Sequence, residues 1–120
     1  MQKNYPPSFQ PYVDAVLEKK SIDPVLIDVN GLSSYTDAII ICSGRSSRHV
    51  IALAEHVQRI LKKQKIKPLN VEGKKDGQWV LMDYGDVIIH FFYENLREFY
   101  DLENLWADAK LYRFEENTDG

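Results

Sequence analysis

The chain has 120 residues, 44% of them hydrophobic and 28% charged, and a formal net charge of −3. That length suits one domain able to bury about two thirds of its unfolded surface without disulfides or metals. The composition is that of an ordinary globular protein, with no apolar run near the roughly 20 residues of a membrane span and no overall basic excess of the nucleic-acid-binding kind.

Cys42 is the only cysteine, so no internal disulfide is available. The opening segment MQKNYPPSFQ lacks the apolar core of a secretory signal, and a reducing compartment, the cytoplasm, is expected. The charge is unevenly spread. Nine Lys/Arg and two acids lie between Arg45 and Lys75, a net of +7, whereas three Lys/Arg and eleven acids follow from Asp76 onward, a net of −8. The acidic half would attract a basic protein, and the basic stretch would attract phosphate or an acidic surface. RNA binding as the main activity is disfavoured, because it rests largely on neutralising phosphates.

In chain order, Ser8 can cap a first helix to about Lys20, with Pro11 tolerated in its first turn. Pro24 opens a strand over Val25–Val29 that Asn30-Gly31 ends. After the polar Ser33–Thr36 connection, Asp37–Cys42 is a continuous apolar run, as expected of a strand buried on both faces. Ser43–Ser47 opens the longest helix, to about Lys63, with Val50, Leu53, Ala54, Val57, Ile60 and Leu61 as its core stripe. A short strand over Pro68–Val71 precedes a turn at Gly73–Gly77. A hairpin follows over Trp79–Tyr93, and then a helix over Leu96–Trp106. The segments 1–7 and 115–120 read as flexible ends of one domain spanning 1–120. The order α-β-β-α-β-β-β-α predicts an α/β (α+β) fold with a mixed sheet of about five strands and helices mainly on one face.

The hairpin is the most informative segment. With Tyr84-Gly85 at the bend and Asp83 facing Asp86, Leu81 lies opposite Ile88 and Trp79 opposite His90. One face then carries Trp79, Leu81, Asp83, Asp86, Ile88, His90 and Phe92, and the other the uniformly apolar Val80, Met82, Val87, Ile89 and Phe91. The apolar set is core. The mixed set, an aromatic with aliphatics, carboxylates and an imidazole, suits a surface that a partner covers. Tyr84, at the tip, is expected to be exposed and in contact with that partner.

These segments, SYTD at Ser34–Asp37, SGRSSRH at Ser43–His49, Val71-Glu72-Gly73, Trp79, DYGDV at Asp83–Val87, His90 and YDLENLW at Tyr100–Trp106, resemble the ribosomal silencing factor (Iojap-like) family in order and spacing. The resemblance covers about residues 10–106 and does not extend to either end. It implies a fold similar to the nucleotidyltransferase core, used without known catalysis or cofactor. It further implies binding to large-subunit ribosomal protein fourteen, a block on joining of the small subunit, lowered translation under nutrient limitation, and a homodimer when free.

On this view the ribosomal-protein contacts are Trp79, Leu81, Asp83, Tyr84, Asp86, Ile88 and His90. The competing readings are a core role for Trp79 under a terminal helix, and turn capping or paired catalysis for Asp83 and Asp86. Arg45, Ser46, Arg48 and His49 stand where a strand meets a helix and could hold a phosphate or touch a ribosomal rim. The plainer reading is that Ser46 or Ser47 caps the helix. Leu102, Leu105 and Trp106 either pack on the domain or form a dimer seam. Arg59, Lys62, Lys63, Lys65 and Lys67 make a solvated helix end, or secondarily a weak ribosomal RNA contact. No metal site is expected: His49 and His56 stand about 10 Å apart along the helix, and His90 has no second ligand in evident reach. Cys42, inside an apolar strand, behaves as a small hydrophobe. The alternatives to ribosome docking are a nucleotidyltransferase-like enzyme using the SGRSS loop with Asp83 and Asp86, and a homodimeric scaffold for another basic protein.

Overall fold

A computed structural model describes residues 5–114. Pro7–Phe9 forms a single 3-10 turn that leads into helix α1 (Gln10–Leu17), with Pro11 in its first turn as expected. Ser8 lies inside that turn and caps nothing through its side chain; Pro6 and Pro7 pre-set the entry instead. Strand β1 (Ile22–Asp28) starts earlier than Pro24 would suggest. It does so through an irregularity between Ile22 and Val25, where Asp23 adopts φ +46° and Pro24 donates no hydrogen bond.

Strand β2 (Ala38–Gly44) is buried at every position, as the continuous apolar run requires. Helix α2 (Ser47–Lys63) follows, with Ser46 Oγ accepting from the His49 backbone N–H at 3.1 Å. Its stripe of Val50, Leu53, Ala54, Val57 and Leu61 is buried, while Ile60 is partly exposed. Then come β3 (Asn70–Glu72), β4 (Trp79–Asp83) and β5 (Val87–Tyr93).

The expected single helix over Leu96–Trp106 is two pieces, α3 (Glu94–Tyr100) and α4 (Leu102–Leu105). Asp101, at φ +46°, breaks it; Asp is one of the few residues with a side chain that enters the left-handed region readily. A sixth strand, β6 (Lys110–Arg113), was not evident from the sequence, being four residues long and charged at both ends.

The sheet order is β3-β4-β5-β2-β1-β6, with β2 and β5 parallel and the other pairs antiparallel. Among the described residues the mixed sheet thus has six strands. Helices α1 and α2 cover one face over Leu26, Ile40, Cys42, Val80, Met82, Ile89 and Phe91. The other face carries Val25, Ile27, Val29, Ile39, Ile41 and Phe92. Leu96, Leu102, Trp106 and Ala109 close over part of it, and the β4–β5 end is left more open. At the β6 edge, Tyr5 is buried with its ring 5.5 Å from Tyr112 and 6.0 Å from Phe114, so the two ends of the described chain meet there. The segments 1–4 and 115–120 lie outside the described residues.

Candidate docking surface

The hairpin closes through Gly85-Asp86, one residue later than Tyr84-Gly85. Tyr84 N–H donates to Val87 O at 2.9 Å, and Gly85 has φ +89° whereas Asp86 has no positive φ. Glycine at the first central position is the signature of a type II′ turn, whose twist matches the flanking strands. The register moves accordingly. Asp83 pairs with Ile88, Leu81 with His90, and Trp79 with Phe92. The expected pairings of Asp83 with Asp86, Leu81 with Ile88 and Trp79 with His90 are corrected by two residues. Side chains alternate with a period of two, so the faces survive the correction.

Three consequences follow for the carboxylates and the tip. Asp83 accepts the Gly85 N–H at 2.8 Å and so clamps the turn. Asp86 is exposed in the turn itself, where its backbone carbonyl accepts from Asp37 and Ala38. Tyr84 is not at an exposed tip: still in the strand pleat, it falls on the face of Val80 and Met82. There it is 8% exposed, 5.5 Å from the Tyr12 ring, and burial pushes its hydroxyl up to about 12.

Trp79, Leu81, Ile88 and His90 share the sheet face away from α2. Trp79, Leu81 and Ile88 are half-buried and His90 is buried. The indole of Trp79 stacks 4.9 Å from Phe92, the Tyr100 ring lies tilted against it at 4.8 Å, and Nε1 donates to His90 Nδ1 at 3.0 Å. Burial lowers the His90 pKa to about 4. Tyr100 on α3 leans on Trp79, and the rest of the ring stays uncovered. Beside it, Phe99 is 77% exposed and Tyr100 45%. Further along, Leu102 and Trp106 pack on the sheet while Leu105 is 72% exposed, so of these three Leu105 offers the freest surface.

The SGRSSRH loop is held by its own residues. Ser46 caps α2, and His49 ties two loops together: Nδ1 accepts the Arg45 N–H at 2.9 Å and Nε2 donates to the Lys20 carbonyl at 3.2 Å. Arg45 and Arg48 are exposed. His56, on the same helix, meets Glu18 at 2.9 Å. Burial pushes the Cys42 thiol up to about 12, far from the thiolate a nucleophile needs.

Sequence reasoning missed Arg97. The residue is 8% exposed, and its guanidinium donates to the Ile22 carbonyl, Ser43 Oγ and Glu103, with Asp23 at 3.6 Å. It lines a cleft of about 510 Å³ with Asp23, Glu94 and Glu98. The ion pair with Glu103 spans six residues, a spacing that no unbroken helix brings together. Only the kink at Asp101, which the sequence does not announce, could have revealed it.

The family model described as ribosomal silencing factor during starvation matches residues 2–119. The chain belongs to that family. It is 43% identical over 88 residues to the ribosomal silencing factor of Haemophilus influenzae, covering 73% of this chain and 86% of that one. The counterpart in Halalkalibacterium halodurans is 38% identical over 97 residues, covering 81% and 83%. A crystal structure from Chromobacterium violaceum superimposes with a TM-score of 0.78 at 36% identity, over 82% of each chain. In this silencing-factor fold SYTD joins β1 to β2, SGRSSRH joins β2 to α2, DYGD makes the β4–β5 turn, and YDLENLW forms the kinked α3–α4 segment.

Proposed function

We propose that this protein silences translation by docking on the large ribosomal subunit through ribosomal protein fourteen and obstructing the small subunit. Family membership supports a ribosome-associated role. The single observation that carries the docking site is the sheet face around Trp79, where a large aromatic stays partly uncovered beside Leu81 and Ile88. Anchors of this kind dominate protein interfaces. Asp83 and Asp86 at its rim, with the acidic C-terminal half, complement a basic partner. Arg45 and Arg48, exposed at the start of α2, serve as rim contacts to the ribosome. Silencing then needs no chemistry. A body 34 × 32 × 31 Å across has only to occupy ground that the other subunit requires.

When free, two copies pair through the exposed Leu105 and its neighbours on α4. The site of action is the cytoplasm, where the ribosomes are. The nucleotide-binding alternative has less support, because Ser46 is engaged as a cap, and Asp83 and Asp86 sit at a turn instead of alternating along one strand.

Sedimentation with separated ribosomal subunits tests the proposal. Wild type is expected to travel with the large subunit alone, and Trp79→Ala, still folded, to lose that association. A folded Trp79→Ala protein that binds as wild type would remove the anchor, and no co-migration of wild type at low salt would remove the ribosome reading.

A further inference from the structure

Trp79 is held more tightly than its partial exposure suggests. Phe92 backs the indole at 4.9 Å and an interplanar angle of 26°, and Tyr100 flanks it at 4.8 Å. Stacking of this kind fixes the plane of a ring but leaves it free to slide and turn within that plane. The bond from Nε1 to His90 Nδ1 at 3.0 Å removes that freedom. It runs diagonally across the strands, since Trp79 is registered with Phe92 and His90 with Leu81. An indole nitrogen can only donate, so His90 Nδ1 carries the lone pair and the imidazole proton sits on Nε2. His90 is only 8% exposed, and its burial favours the neutral ring that this bond needs.

We propose that His90 is a positioning residue that takes up the Trp79 indole N–H, locks the anchor on the docking face, and leaves a partner only its apolar surface to engage. The inference rests on the docking reading above and deepens it by naming the chemistry of the contact. With its one polar atom satisfied inside the protein, Trp79 selects an aliphatic or cationic side chain, not a carbonyl or carboxylate acceptor.

The test is the affinity for purified large subunits of wild type, His90→Phe, Trp79→Phe and the double variant, each checked for folding by thermal unfolding. His90→Phe keeps a ring without the acceptor, and Trp79→Phe keeps an aromatic without the donor. His90→Phe is expected to bind roughly fivefold more weakly, the effect of one hydrogen bond; Trp79→Phe loses more, because the smaller ring also gives up contact area, and the double variant binds no worse than Trp79→Phe alone. His90→Asn, with an amide oxygen able to stand in for Nδ1, is expected to restore most of the loss. Wild-type affinity in His90→Phe, or additive losses in the double variant, would overturn the positioning role. Loss of the Trp79 N–H bond to His90 on binding, seen as a change in the protection of that indole N–H when large subunits are added to the Trp106→Phe protein, would show that the partner accepts the N–H itself, which overturns the selectivity. Failure of wild type to bind at all would defeat the docking reading, and the positioning role with it. Should His90→Phe not fold, NMR of the Trp106→Phe protein isolates the Trp79 indole resonance. Protection of that N–H from solvent exchange supports the bond, and exchange at the rate of free indole refutes it.

Discussion

His90 is a buried neutral imidazole at the centre of the candidate face, and its titration couples to stability. Burial alone lowers its pKa from 6.5 to about 4. In the unfolded chain it takes up a proton as the pH falls through about 6.5, whereas the native protein resists until about 4. Its contribution is therefore fully present above the unfolded pKa and is lost as the pH falls through that window. Urea denaturation from pH 7 to pH 4 is expected to show wild type losing on the order of 3 kcal/mol more than His90→Asn. Parallel profiles would contradict the burial of the neutral ring. The identity of His90 as part of the mixed face was legible from alternation along β5. Its bond to Trp79 was not, because that depends on a diagonal contact in a register that a turn residue decides.

At the scale of elements, that register turns on Gly85-Asp86. Whether Tyr84 belongs to the bend or to the strand could not be read from DYGD, since both choices leave a tyrosine, a glycine and two acids near the turn. The positive φ of Gly85 settles it and moves Tyr84 into the core. A second glycine positions the start of β4. Gly73 has φ +83°, and a Cβ there would stand 1.9 Å from the Trp79 carbonyl oxygen. The obstacle is backbone, which cannot swing aside. Gly73→Ala is expected to lower the unfolding free energy by roughly 3 kcal/mol, from the clash together with the left-handed conformation, and to shift Trp79 with it. Thermal unfolding and the Trp79 indole resonance would check both, and an unchanged midpoint would refute the close approach. Glycine after Val71-Glu72 was visible in the sequence as a turn; that it lies against Trp79 was not.

Over the whole molecule, the chain closes its sheet with the segment least expected to matter. Strand β6 pairs with β1 from Val25 to Asp28, and Tyr112 and Phe114 bury Tyr5 from the other end of the chain. Without β6, β1 would become an unprotected edge made of Val25, Leu26 and Ile27, all fully buried now. Truncation after Ala109 is expected to lower the melting temperature and produce concentration-dependent self-association, measured by scanning calorimetry and analytical ultracentrifugation. A truncated protein as stable and as dispersed as wild type would show β6 to be dispensable.

By itself the sequence determined the helical and strand periodicities, the doubly buried β2, a serine cap at Ser46 or Ser47, the two faces of the hairpin and the family to which they belong. Each of these depends on residue types at short spacing, where local sterics and burial act directly. Tertiary structure alone decided the hairpin register, the buried Tyr84, the kink at Asp101 with its Arg97–Glu103 pair, and the pairing of β6. Each of those is a contest between conformations that are nearly equal locally, settled by contacts between residues distant in the chain.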